Sequence, residues 1–182
     1  MIMGNEVYRY FVEGECEKHF INIYKRLPTG GLKPGKVEVF NVTRDLLEPQ
    51  RIMGIPRKAV VVFIFDVDCG GRDKVNQNVE RVARYSCPKS IVLVPSVENF
   101  EDELVRSTPG VKNIEAFFGV RSPREFKSRF LSCQNLAEKL ESLGFDLSSM
   151  WTTTPHQKDY RDLEGGGTKI KERQKPRRTL KN

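Results

Sequence analysis

Cysteine is scarce and scattered in this chain. Cys16, Cys69, Cys87 and Cys133 are the only four in 182 residues, and no two form a Cys-x-x-Cys pair. That spacing argues against a zinc ribbon or a disulfide scaffold and leaves reduced thiols as the reading. No apolar run approaches the ~18 residues of a membrane span, and Met1–Glu6 lacks the regions of a secretory signal. A cytoplasmic protein with no membrane partner is therefore expected. No Gly-x-x-x-x-Gly-Lys-Ser/Thr occurs, so the chain carries no P-loop ATPase motor of its own. Internal repeats are absent, and of the two histidines His156 stands alone near the chain end, an incidental placement. Wholesale disorder is excluded by a hydrophobic content of 38%, enough for the core of one domain.

The net charge of +7 is unevenly spread. From Pro155 onward there are nine Lys or Arg against four Asp or Glu, so +5 belongs to that segment and +2 to residues 1–154. Affinity for a polyanion should therefore rest on local patches and on the chain end. Residues 1–150 are expected to form one α/β domain. Residues 151–182, Thr-rich, then Gly165–Gly167, then basic, are expected to be a flexible tail.

The stretch Ala59–Phe65 is seven apolar residues without polar alternation, rich in Val and Phe. It is too short for a comfortable helix and reads as a strand covered on both faces, the habit of parallel sheets. Asp66 and Asp68 follow directly, at the strand end where open α/β sheets place ligands. Two ionised carboxylates one residue apart repel each other unless something positive binds beside them. A hard divalent cation, Mg²⁺ or Mn²⁺, suits them, and an ordinary acidic turn is the bland alternative.

Around that strand the chain alternates. Val7–Val12 reads as a first strand ending at Glu13-Gly14, followed by a helix over Glu15–Leu27 with Cys16, Phe20, Ile23, Tyr24 and Leu27 on one stripe. Lys36–Val42 reads as a second strand, and Asp45–Met53 as a short helix limited by Pro49. Arg72–Tyr85 is expected to be a helix, Ser90–Val94 a fourth strand closed by Pro95, and Val97–Ser107 a helix capped by Ser96. Ser122-Pro123-Arg124-Glu125 is a capping box opening a long amphipathic helix to Leu143. The order predicts an α/β fold with a parallel sheet of about four strands flanked by helices, and a helical C-terminal addition.

Acids then lie beyond three strand ends: Glu13, the Asp66/Asp68 pair, and Glu98 or Glu101. Convergent carboxylates without a His or Cys cluster suit Mg²⁺ and phosphate chemistry better than zinc hydrolysis. Phe11-Val12-Glu13-Gly14 and Asp66-Val67-Asp68-Cys69-Gly70-Gly71 resemble the two motifs of the Toprim superfamily of topoisomerases, primases, OLD-type nucleases, ribosomal RNA maturases and RecR-type repair proteins. The resemblance spans roughly residues 5–110. It implies that Glu13 is a general acid or base and that Asp66 and Asp68 coordinate Mg²⁺. Glu13-Gly14-Glu15-Cys16-Glu17 and Pro95-Ser96-Val97-Glu98-Asn99-Phe100 are similar to patterns of the small OLD-like and RloB-like branch. Those patterns would add Glu17 and Glu98 as further metal-facing acids, with Glu98 favoured over Glu101.

Lys18 and His19 on the first helix, and Arg72 and Lys74 after the Asp-x-Asp loop, are candidates for contacting substrate phosphate. The chain lacks the Tyr-bearing breakage domain of a topoisomerase. The resemblance thus implies a Mg²⁺-dependent nuclease acting on DNA or RNA, in phage defence or RNA processing. Two competing readings remain open: a non-hydrolytic nucleic-acid-binding adaptor of RecR type, and an effector subunit that needs a partner ATPase.

Overall fold

The apolar run forms β3 (Val60–Asp66), whose first six residues are all buried. A strand buried on both faces needs layers above and below it and partners along both edges. In a computed structural model, which describes residues 6–68, 71–163 and 165–172, those needs are met by a four-stranded, all-parallel sheet. β1 (Tyr8–Val12), β2 (Gly35–Val39), β3 and β4 (Ser90–Ser96) lie in the order β2-β1-β3-β4. Tyr8 pairs with Gly35 and Val60, and Asp66 pairs with Ser96, so the carboxyl ends of β1, β3 and β4 lie along one rim of the sheet.

Seven α-helices among the described residues cover it: α1 (Glu15–Tyr24), α2 (Pro49–Met53), α3 (Arg72–Ser86), α4 (Phe100–Arg106), α5 (Pro123–Ser132), α6 (Leu136–Ser142) and α7 (Gly166–Lys169). Side chains alternate across a strand, and the sheet uses both sides. Tyr10, Val12, Val62, Ile64 and Val94 face a core shared with Phe20, Phe100, Phe126, Phe130, Leu136 and Leu140. Phe11, Val61, Phe63 and Phe65 face a second core with Leu47, Ile52, Val75 and Val82. No helix among the described residues is long and apolar enough to cross a membrane.

Several boundaries differ from the sequence expectation, each for an identifiable reason. Pro49 opens α2 at its first turn instead of limiting it, because the missing N–H is not needed there. Pro95 lies inside β4 instead of closing it, which an edge strand tolerates since its outer ladder is unpaired. The cap of α4 is Asn99, whose Oδ1 accepts from Asp102 N at 2.9 Å, while Ser96 ends the strand. The capping box holds: Ser122 Oγ accepts from Glu125 N and Glu125 Oε2 accepts from Arg121 N at 2.9 Å. The long helix it opens is broken, however. Cys133 takes an extended conformation, its carbonyl stands 3.3 Å from His19 Nε2, and α6 restarts three residues later. The break lets Phe126 and Phe130, then Leu136 and Leu140, all reach the same core fully buried.

Residues 151–163 and 165–172, expected to belong to the flexible tail, are packed on the domain; residues 164 and 173–182 lie outside the described residues. Trp151 N donates to Glu103 Oε2 at 3.0 Å and its indole N–H donates to Ser96 Oγ at 3.3 Å. Tyr160 and Ile170 are buried, and Leu32 bridges Lys171. Gly166 lies so close to the sheet that a Cβ there would stand 1.9 Å from Leu93 O. Apolar residues are few in this segment, yet each one is placed in a core.

Urea denaturation tests that attachment. Ile170→Ala is expected to cost about 3 kcal/mol, the usual scale for truncating a fully buried aliphatic chain, and Gly166→Ala is expected to destabilise by collision with the β4 backbone. A loss below about 0.5 kcal/mol for Ile170→Ala, the range of surface changes, would show that the segment is only loosely held.

Candidate active site: an acidic crevice at the carboxyl rim of the sheet

β1 ends, and its chain turns into α1 through Glu13 and Gly14. Gly14 is the N-cap in an extended conformation. Glu17, in the first turn, folds back over it, with Oε2 2.8 Å from where a Gly14 Cβ would sit. The Glu17 carboxylate accepts from its own backbone N–H, an interaction that the exposed amides of a helix start favour. Glu17 is only 6% exposed. Burial first, then the charges of Glu101 and Glu13, push its pKa up to about 7.

Asp66 ends β3 on the same side of the sheet. Its Oδ1 is buried without a hydrogen-bond partner. Burial, followed by Glu17, Glu13, Asp68 and Glu101, pushes its pKa up to about 8. Glu13 is raised as well, chiefly by burial, against the opposing pull of the Thr43 hydroxyl and the Asp66 backbone N–H. Glu13, Glu17, Asp66 and Glu101 line one crevice of about 310 Å³, together with Cys16, Asn41, Arg44 and Lys127. Asp66, Glu101 and Lys127 also line the adjoining crevice, where Asp68, Asp102 and Lys112 join them.

The contacts of Glu13 define what it can do. Thr43 Oγ1 stands 2.9 Å from Glu13 Oε1 and 2.8 Å from Asn41 Oδ1, and Asn41 Oδ1 already accepts from Arg44 N at 3.0 Å. A hydroxyl has one proton to donate. With Glu13 ionised, Thr43 gives it to the carboxylate; with Glu13 protonated, the carboxyl donates to Thr43 and Thr43 donates to Asn41. Thr43 thus switches its one proton between Glu13 and Asn41, and in the ionised state Asn41 Oδ1 is left with Arg44 N as its donor. Gly71, at φ +99°, lies against this relay, since a Cβ there would stand 2.2 Å from Thr43 O.

The sequence-predicted residues divide accordingly. Glu13, Glu17 and Asp66 share the crevice, and Asp68 lies next door, exposed. Glu98 does not join them: it sits exposed on a left-handed turn at φ 67°, its carbonyl accepting from Asp68 N at 3.4 Å. Glu101, one helical turn on, lines both crevices instead. Lys18, Arg72 and Lys74 line neither. Lys18 pairs with Glu15 at 3.1 Å, and Arg72 pairs with Asp162 at 2.9 Å while lying over the Tyr160 ring. Sequence reasoning missed three crevice cations, Arg44, Lys112 and Lys127; Lys127, exposed on α5 and 3.3 Å from Glu101, has nothing in its local pattern to distinguish it from other surface lysines.

The donor set suits a hard divalent cation: all are carboxylate oxygens, and Asp66 Oδ1 is an acceptor without a donor. Among the described residues no group of three or more His, Cys, Asp or Glu side chains is gathered at metal-holding spacing. The acids thus form a shared field of negative charge around Asp66.

That field has a pH signature. Asp66 and Glu17 both have folded-state pKa values above their unfolded ones, so the protonated forms favour folding. Without divalent cations, stability should be highest near pH 4 and fall as pH rises toward 8. Asp66→Asn should flatten that slope and melt higher than wild type at pH 8. Melting temperatures in EDTA across this range check it; a wild type that gains stability over the same interval would contradict the assigned burial.

In comparisons with family models, curated proteins and solved structures, nothing matches this chain.

Proposed function

We propose that the chain is a divalent-cation-dependent nuclease of Toprim type, cleaving nucleic-acid phosphodiesters. One observation supports this above the others: Asp66, a buried carboxylate with an unpartnered oxygen, is surrounded by Glu13, Glu17, Asp68 and Glu101. Such a cluster opposes folding through desolvation and repulsion, and catalytic sites are where proteins accumulate such cost. The motif resemblance of Glu13-Gly14 and Asp66-x-Asp68 runs in the same direction.

In this reading Asp66 and Asp68, with Glu17 and Glu101 as neighbours, hold Mg²⁺ or Mn²⁺. The bound cation supplies Lewis-acid stabilisation of the charge that builds on the phosphate. Glu13 moves the proton: burial raises its pKa, and the Thr43 hydroxyl beside it can donate to the carboxylate or accept from the carboxyl as it takes up and returns one. Lys127, neighbour of Glu101, offers an ammonium to a phosphate oxygen.

Two measurements test it. Mg²⁺ should raise the melting temperature of the wild type, because a ligand of the folded state adds stability, and the Asp66→Asn/Asp68→Asn double variant should lose that shift. In single-turnover assays on labelled single- and double-stranded DNA and RNA, Glu13→Gln should bind as wild type and cut about 10²-fold more slowly, the scale of general acid–base catalysis. Equal cleavage by Glu13→Gln would remove the proposed proton transfer. Binding without cleavage in either metal would favour an adaptor.

A further inference from the structure

The acidic crevice occupies one end of the sheet, and a cavity at the other end gathers three lysines against one glutamate. Loops between helices and parallel strands lie at the amino ends of the strands, and the one joining α1 to β2 carries Pro28, Thr29, Gly30 and Lys33. The last described residues return to it: Lys33 N donates to Ile170 O at 2.8 Å, Glu172 N donates to Gly31 O at 2.9 Å, and Leu32 bridges Lys171. Between the two segments lies a cavity of about 580 Å³ lined by Thr29, Lys33, Thr168, Lys169, Lys171 and Glu172, among others.

Its cations play different parts. Lys171 is structural: its ammonium donates to the carbonyls of Ser148, at 3.0 Å, and Met150, and burial lowers its pKa to about 8. Lys33 and Lys169 make no ion pair among the described residues. They face the cavity with the hydroxyls of Thr29 and Thr168 beside them, a set of donors suited to phosphate oxygens. Before a cation binds, the carboxylates of the opposite rim repel a polynucleotide. Affinity in that state has to come from elsewhere.

We propose that this cavity is an anchoring site for the phosphate backbone of the nucleic acid, separate from the acidic crevice, and that it supplies binding independent of divalent cations. The inference rests on the nucleic-acid reading of the crevice. It adds that holding and cutting the strand are done at opposite ends of the sheet. Contacts of this kind carry no sequence information.

The experiment is fluorescence anisotropy of a labelled single-stranded oligonucleotide in EDTA over a salt series, so that no cleavage occurs. Lys33→Glu/Lys169→Glu is expected to weaken binding at least 10-fold and to lower the salt slope by about 1.4, at roughly 0.7 per lost phosphate contact. The Arg84→Glu/Arg124→Glu control, equal in charge and outside the cavity, should change both much less. Unchanged melting temperature verifies folding, and Lys33→Gln/Lys169→Gln replaces the reversal if it fails to fold, with a smaller loss expected. Equal loss in the control would overturn the anchor in favour of net charge alone. No oligonucleotide binding by wild type in EDTA would overturn it too, as would cavity-dependent binding to anionic lipid vesicles with oligonucleotide affinity unaffected by the cavity variants. A Glu13→Gln enzyme that still cuts would sink the catalytic reading while leaving this result untouched.

Discussion

Everything in this molecule follows from having a strand, β3, that is buried on both faces along its apolar length. Such a strand cannot be exited by a tight hairpin into a parallel neighbour, so each connection must cross over the sheet. The crossovers place helices on both faces and leave the strand ends to face solvent together. The carboxyl ends of β1, β3 and β4 therefore share a rim, and polar residues that would be intolerable within the strands collect there. Glu13 and Asp66 are the first residues that such exits allow to be acidic. The site is in this sense a by-product of the topology, sharpened by side chains from α1 and α4.

The sheet, its parallel sense and the positions of Glu13, Asp66 and Asp68 were legible in the sequence because they depend on local signals: an unbroken apolar run, a strand ending in Glu-Gly, a carboxylate pair at a strand exit. What was not legible depends on contacts between distant segments. The interruption at Cys133 answers to His19, more than a hundred residues earlier, and nothing in the helical stripe reports it. The preference for Glu98 failed to anticipate that Glu98 would sit in the left-handed turn before Asn99, which turns Glu101 toward the crevice. Composition alone made residues 151–172 resemble a tail, since only three large apolar side chains among the described residues there, Trp151, Tyr160 and Ile170, are buried to hold it.

Glu103 explains how that late segment is tied to the acidic rim. Its carboxylate is almost wholly buried, with Oε1 accepting from Val97 N and Arg106 Nη2 and Oε2 accepting from Trp151 N. A carboxylate with three donors is well satisfied despite burial. It braces the turn that carries Glu98 and Asn99. One side chain thus links the end of β4, helix α4 and the segment that closes over the sheet.

Gly71 has a consequence for how this protein would look to saturation mutagenesis. With φ at +99° and Thr43 O only 2.2 Å from any added Cβ, the position rejects every side chain through backbone strain and collision alike. It would score as indispensable on packing grounds alone, whatever the acids of the rim do. A map of intolerance drawn over this rim would therefore mix scaffold positions with any that act chemically, and the scaffold glycine would be told apart by variants that fail to fold.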